Sequence, residues 1–322
     1  MSDSKQVTGP GATVVVTGGS GFIGSAVVRE ALSRGCAVTA LIRECEPIMD
    51  LDGLNSRVVD WDDRIGFTEV LSEISPDVIV HCAGSSARGQ EAVEAIYRAN
   101  VGLVWTLLSA VTTACPTCGV VLLSSAAVYG PSPEVPTSEA AVLQPATHYG
   151  HSKVLAEGVA RAFAEVEGVR AVVARPFNVL GPGEPAGSVV ERIAHQVAGD
   201  PGTARVEVRL REVSSVRDFV DVDDVARALV AIGFHGEAGT AYNICSGRGV
   251  SIRDLVECAV AVSGRESDLL VEQEDTVASV SIGRNDRLGQ LGWTPRIPLE
   301  ESMRRIMQSA LLGSAVSHGD GE

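Results

Sequence analysis

Tyr149 and Lys153 stand four residues apart, with Ser125 earlier in the chain. On a helix, residues at i and i+4 share one face, a turn apart. A phenol ionises at about pH 10, too high for easy proton exchange near neutrality. A neighbouring ammonium stabilises the phenolate and draws that value toward the working range. A serine beside the phenol can donate to a carbonyl oxygen. Ser125, Tyr149 and Lys153 can therefore bind a ketone oxygen, protonate it and leave its carbon open to hydride. No side chain supplies hydride, so this chemistry needs a cofactor. Alone, Tyr-x-x-x-Lys is a common surface pair, and its meaning here comes from what precedes it.

What precedes it is Thr13 to Gly24. Val14 to Val16 is a short β-branched run that reads as a buried strand. Gly18, Gly21 and Gly24 follow, and Phe22, Ile23, Ala26, Val27 and Leu32 continue at helical spacing. Strand, glycine turn and helix is the context of a dinucleotide-binding fingerprint, although the spacing Gly-x-x-Gly-x-x-Gly departs from the commoner Gly-x-Gly-x-x-Gly. Gly18 can take a turn conformation that a Cβ opposes. Gly21 lets the backbone approach a pyrophosphate, and Gly24 lets the helix pack closely. The helix N-terminus offers N–H groups and a positive dipole end to phosphates.

Later elements extend the pattern. Ala37 to Ile42 reads as a second strand with Arg43 directly after it. An acidic residue there would hold the ribose 2′-hydroxyl of NAD; a guanidinium suits the 2′-phosphate that only NADP carries, or is simply a solvated arginine. Val58 to Trp61 reads as a third strand, placing Asp60 where it can accept from an adenine amino group. Val78 to Gly84 is a fourth strand running into Ala83 and Gly84, small enough to pass close to a cofactor. His81 lies within that apolar run and reads as a hydrogen-bonded core histidine. A helix from Glu91 to Thr113 carries Asn100, and Val120 to Leu123 is a fifth strand ending at Ser124 and Ser125. Residues 131–147 read as a loop, a helix starts near His148, Val169 to Ala174 is a sixth strand, and 175–183 is a loop.

In open parallel sheets ligands bind beyond the carboxyl ends of the strands, which gathers Gly18, Ala83, Gly84 and Ser125 along one edge. Beyond residue 183 the alternation loosens. Helices are expected at 189–197, 222–232, 252–263 and 299–312, and strands at 206–210 and 240–245. The alternation gives the fold class α/β with a parallel sheet, and the second half is expected to pack on the first. A disordered lead is expected at 1–12 and a disordered tail at 313–322.

Composition sets the bounds. A net charge of −15 argues against nucleic acid or an anionic membrane as partner. No apolar run is long enough to span a bilayer, and the polar N-terminus lacks a signal peptide's apolar core, so the expected compartment is the cytoplasm. Seven cysteines include Cys82, Cys245 and Cys258 inside apolar runs, which reads as reduced, packed thiols. Cys115 and Cys118 form a single Cys-x-x-Cys, which cannot complete a zinc site, so structural use is expected and no metal.

The chain resembles the extended short-chain dehydrogenase/reductases of the NAD-dependent epimerase/dehydratase group. The likeness is carried by 17–24, His-Cys-Ala-Gly at 81–84, Ala-Asn-Val at 99–101, Ser-Ser-Ala-Ala-Val-Tyr-Gly at 124–130 and Tyr-Gly-His-Ser-Lys at 149–153. It continues through Arg-Pro-Phe-Asn at 175–178, Arg-Asp-Phe-Val-Asp at 217–221 and Tyr-Asn-Ile-Cys-Ser-Gly at 242–247. The resemblance implies a Rossmann-type doubly wound parallel sheet with a smaller C-terminal α/β substrate domain. The division it implies is a dinucleotide domain at 13–177 to which later segments return and a mainly substrate-binding domain at 178–312. The resemblance also implies a nucleotide-diphosphate sugar substrate and a homodimer formed through the helices near 91–113 and 149–167. The C-terminal half is most similar to GDP-4-keto-6-deoxymannose reductases, which reduce a sugar C4 ketone. It implies cofactor contacts from Gly18, Gly21, Phe22, Ile23, Gly24, Arg43, Asp60, Trp61, Ala83, Gly84, Asn100, Tyr149, Lys153 and Pro176. For the substrate it implies Ser85, Ser125, Ala126, Asn178 and Arg217, with Arg284 and Arg287 weaker candidates for the diphosphate. Arg217 is expected at the diphosphate, or paired with Asp218 or Asp221. The group's 4,6-dehydratases carry an Asp-Glu pair where this chain has Ala126 and Ala127, which cannot move protons. Two activities remain open: a ketoreductase exchanging NADPH for NADP, favoured by Arg43, and an epimerase retaining NAD. A non-catalytic binder has no need of Ser125, Tyr149 and Lys153 together.

Overall fold

A computed structural model describes residues 11–43, 50–85, 93–132, 134–185, 187–199, 204–272 and 278–317. The first half alternates strand and helix: β1 (Thr13–Thr17), α1 (Phe22–Ser33), β2 (Ala37–Ile42), β3 (Leu54–Val58), α2 (Arg64–Ile74) and β4 (Val78–His81). Next come α3 (Val93–Tyr97), a π-helical turn (Arg98–Gly102), α4 (Leu103–Ala114), β5 (Gly119–Leu123), α5 (His148–Glu167) and β6 (Arg170–Pro176). The second half contains β7 (Asn178–Leu180), α6 (Val189–Ala198), β8 (Arg205–Leu210), β9 (Val216–Asp221), α7 (Val222–His235) and β10 (Ala241–Ile244). It ends with β11 (Gly249–Ser251), α8 (Ile252–Ser263), β12 (Glu266–Val271), β13 (Val280–Ser281), α9 (Asp286–Gln290) and α10 (Leu299–Ser317).

Seven parallel strands form the central sheet in the order β10-β6-β5-β4-β1-β2-β3. Its middle strands are nearly continuous Val, Ile and Leu because both faces are covered. Side chains alternate across a strand, so Val14 and Val16 pack toward α1 and α7 while Val15 joins Ile79, Phe67, Leu71 and Leu107 beneath α2 and α4. A third core joins α6, α8 and α10 to β8 and β9, through Ile193, Val208, Leu255 and Met303. Thus β10 and α7, late in sequence, complete the first sheet and its cover.

The structure corrects several boundaries. The third strand is Leu54–Val58, paired with β2, and stops before Asp60 and Trp61. This edge strand is half exposed and Leu-Asn-Ser-Arg-Val shows no buried run, so the Val58-Val59 pair pulls the sequence expectation too late. The helix expected over 91–113 runs continuously from Val93 to Ala114 with a π-helical turn inside it, and residues 91 and 92 lie outside the described residues. The loop at 175–183 contains β7, which pairs with β9. Helix α2, capped by Asp63 through the N–H groups of Ile65 and Gly66, and strands β9, β11, β12 and β13 are additions. Residues 313–317 continue α10 rather than forming a tail; 1–10 and 318–322, expected as disordered, lie outside the described residues. Cys115 and Cys118 are buried, as structural thiols should be. His81 is buried with Nδ1 2.8 Å from Thr17 Oγ1, as expected of a core histidine; burial pushes its pKa down to about 3.

Candidate active site

A cavity of about 680 Å³ opens at the carboxyl ends of the central strands. One wall is the glycine turn: Gly18, Gly21, Phe22, Ile23 and Gly24. Gly18 holds φ +66°, and a Cβ there would stand 2.8 Å from the Ala83 nitrogen. A Cβ on Gly24 would lie 2.0 Å from the Gly18 oxygen. The N-cap of α1 is Gly21, with no side-chain cap and no acidic residue in the first turn. The first helical turn, Phe22 to Gly24, thus meets the cavity with no acidic residue of its own, which fits the diphosphate of a dinucleotide.

The lining also carries Ser125, Tyr149 and Lys153. Ser125 caps a short 3₁₀ turn (Ala126–Val128), its Oγ accepting from Ala127 N at 3.1 Å and keeping its proton for another acceptor. Thr147 caps α5, its side chain accepting from Gly150 N, which fixes where Tyr149 enters the first turn. Lys153 Nζ donates to Leu123 O at 2.9 Å and sits 5.8 Å from the Tyr149 ring centroid. Burial pushes the Lys153 ammonium down to about 8, so it stays largely charged at neutral pH.

Gly84, Ser85 and Pro176 also line the cavity, as does Asn178, whose Nδ2 donates to Asp218 O at 3.1 Å. Ala83 lies behind Gly18, and Ala126 lies in the 3₁₀ turn beside Ser125. Other expected contacts stand back from this cavity. Asn100 is buried in the π turn, bonded to both main-chain atoms of Ser85 and to Ser152 Oγ, so it braces the β4 loop against α5. Trp61 packs in the core against Phe67 and His81, and Asp60 accepts from Asp62 N. Arg43 is exposed at the end of β2. Arg217 donates to the oxygen atoms of Ser279 and to Val216 O. The carboxylates expected as its partners are engaged elsewhere: Asp218 accepts from Ser246, Gly247 and Gly283, and Asp221 from Ser302. Arg284 lies 3.8 Å from Asp286, and Arg287 donates to Ala241 O. Sequence reasoning missed Cys82, Glu184, Ser188 and Phe219 in the lining. The Gly-Pro-Gly run before Glu184 marks a loop beside the site but does not say which side chain turns inward.

A family model for the NAD dependent epimerase/dehydratase family matches residues 14–245. The chain belongs to this family. It is 31% identical over 241 residues to the GDP-6-deoxy-D-mannose reductase of Pseudomonas aeruginosa, covering 72% of this chain and 79% of the relative. It is 30% identical to the dTDP-6-deoxy-L-talose 4-dehydrogenase (NAD(P)(+)) of Kitasatospora kifunensis, covering 92% and 94%. Among solved structures, RMD from P. aeruginosa complexed with NADPH superposes with a TM-score of 0.75 at 27% identity, covering 93% of this chain and 98% of the other. UDP-glucose 4-epimerase from Brucella ovis in complex with NAD gives 0.81 at 26% identity, covering 92% and 98%. This family member is therefore an NAD(P)-dependent, Rossmann-type protein of the extended short-chain dehydrogenase/reductases. No helix among the described residues is long and apolar enough to cross a membrane.

Proposed function

We propose that the protein reduces the C4 ketone of a nucleotide-diphosphate 4-keto-6-deoxyhexose, a GDP or TDP sugar, with NADPH. The observation that carries this reading is the placement of Ser125, Tyr149 and Lys153 in one cavity with the glycine turn. The bound dinucleotide supplies the hydride. Ser125 holds the ketone oxygen by its hydroxyl. Tyr149 donates a proton to that oxygen, and the Lys153 ammonium, anchored on Leu123 O, stabilises the phenolate left behind. Lys153 also has a donor for the nicotinamide ribose. Ala126 and Ala127 bring no acid or base, so loss of water from the sugar has no proton carrier there.

On this reading Ser85, Ala126 and Asn178 adjoin the sugar, and residues 178–312 mainly serve the nucleotide sugar. Arg217 would exchange its Ser279 bonds for the diphosphate, with Arg284 nearby. Asp60 serves the adenine end, and Arg43 the 2′-phosphate. The protein works in the cytoplasm as a homodimer through α4 and α5, where Trp105 and Leu155 are exposed. The likeness to UDP-glucose 4-epimerase supports a second reading, an epimerase that retains NAD. The purified protein is first assayed for bound nicotinamide nucleotide, then mixed with NADPH or NADH and a 4-keto-6-deoxy sugar nucleotide in GDP and TDP forms. NADPH oxidation in step with product supports the reductase; tightly bound NAD without net oxidation supports the epimerase.

A further inference from the structure

Beneath the cavity lies a buried ion pair that takes no part in the chemistry above. Glu157 stands one turn beyond Lys153, so Tyr149, Lys153 and Glu157 follow at i, i+4 and i+8 along α5. Glu157 is 7% exposed and its partner Arg175 is 6% exposed. Arg175 grips the carboxylate with two bonds, Nε to Oε1 at 3.0 Å and Nη2 to Oε2 at 2.6 Å. Ser124 Oγ donates to the same Oε1. Arg175 Nη1 continues to Tyr129 OH at 2.9 Å, and Tyr129 OH donates to Asn243 Oδ1 at 2.7 Å.

Burying two charges costs more than their attraction returns unless the geometry is good and the remaining donors are used; an apolar pair would fasten two elements as well or better. What this pair adds is direction. Each segment it joins ends at the cavity. Ser124 immediately precedes Ser125, Arg175 immediately precedes Pro176, and α5 carries Tyr149 and Lys153. One turn nearer the cavity, Lys153 binds Leu123 O, so α5 is pinned to the end of β5 at two successive turns. Charge adds a second reason. Burial lowers the Lys153 pKa, while Cys82, just past β4, and Glu157 on α5 act the other way. Among the described residues, His81 on β4, the Tyr149 ring and Asn100 beside Gly84 also lie near the ammonium.

We infer that Glu157 is a positioning residue: held by Arg175 and Ser124, it fixes α5 against the carboxyl ends of β5 and β6 and so sets the places of Tyr149, Lys153 and Ser125. The inference rests on the reading of those three as the proton-transfer site. Glu157→Gln removes the charge but keeps the shape, and Arg175→Lys keeps the charge but loses the fork. In both, kcat falls about tenfold or more while KM for NADPH and for the keto sugar nucleotide stays within about threefold. In both, the Tyr149 phenol, followed by phenolate absorbance against the matching Tyr149→Phe protein, ionises higher by about one pH unit, because the ammonium beside it is less well held. A Glu157→Gln protein with wild-type kcat and phenol titration overturns the inference, as does a rise in KM at unchanged kcat. If Glu157→Gln does not fold, Ser124→Ala, which removes one bond to the same carboxylate, takes the same two readings. The phenol titration needs no sugar substrate. Wild-type protein that reduces no keto sugar nucleotide therefore defeats the proposed reaction, while an unchanged titration defeats the role of Glu157 alone.

Discussion

Lys153 Nζ donates to the main-chain oxygen of Leu123 at 2.9 Å, two residues before Ser125. The bond ties the lysine of α5 to the strand end that presents the serine. It also leaves the ammonium facing Tyr149, 5.8 Å from the ring centroid, which is the arrangement the proton transfer needs.

The first expectation concerns Tyr149. Replacing it with Phe removes the proton donor and little volume. Turnover should fall by about 10²–10⁴-fold, while NADPH affinity, measured by fluorescence titration, stays within a few-fold. Full activity in Tyr149→Phe would sink the mechanism.

Lys153 links the site to pH. Its folded pKa of about 8 lies below the ordinary 10.5 because it is buried. Between those values the unfolded chain binds a proton that the folded one does not, so stability rises with pH across this window. Below about 8 the lysine carries the full cost of a buried charge. In cofactor-free protein, the stability of wild type relative to Lys153→Met should increase by on the order of 3 kcal/mol from pH 7.5 to 10.5. Urea unfolding at a series of pH values reads this directly; a flat difference would contradict it.

Arg43 tests the choice of cofactor. If its guanidinium meets a 2′-phosphate, Arg43→Ala should lower kcat/KM for NADPH by about tenfold or more and leave NADH nearly unchanged. Unchanged kcat/KM with both cofactors would remove Arg43 from the cofactor site and favour the epimerase.

Assembly is read at Trp105, 58% exposed on α4 and edge-on to Phe163 of α5 with ring centroids 5.3 Å apart. Trp105→Asp should convert a homodimer to monomer in light scattering, with the circular dichroism of the fold retained. A wild-type protein already at monomer mass would remove the dimer.

The sequence by itself determined the fingerprint and its neighbours. Val14 to Val16, the three glycines and the helical spacing after them identify β1, the turn and α1, because local conformation and burial period leave few alternatives. The pair Tyr149 and Lys153 was legible for the same reason, since helical spacing alone places them one turn apart. Helix α2 was also within reach, through Asp63 and the i, i+4 pair Phe67 and Leu71. What only the tertiary structure decided involves partners distant in sequence. The edge strand β3 is strand by pairing with β2 rather than by its own pattern. Asn100 and Trp61 have residue types suited to a ligand, yet packing spends them on Ser85, Ser152, Phe67 and His81. The Glu157–Arg175 pair joins residues 18 apart in sequence on a helix and a strand, and no local period announces it. Side-chain hydrogen bonds between elements depend on which strand ends become neighbours, and that is fixed by the sheet order, not by the residues that flank each group.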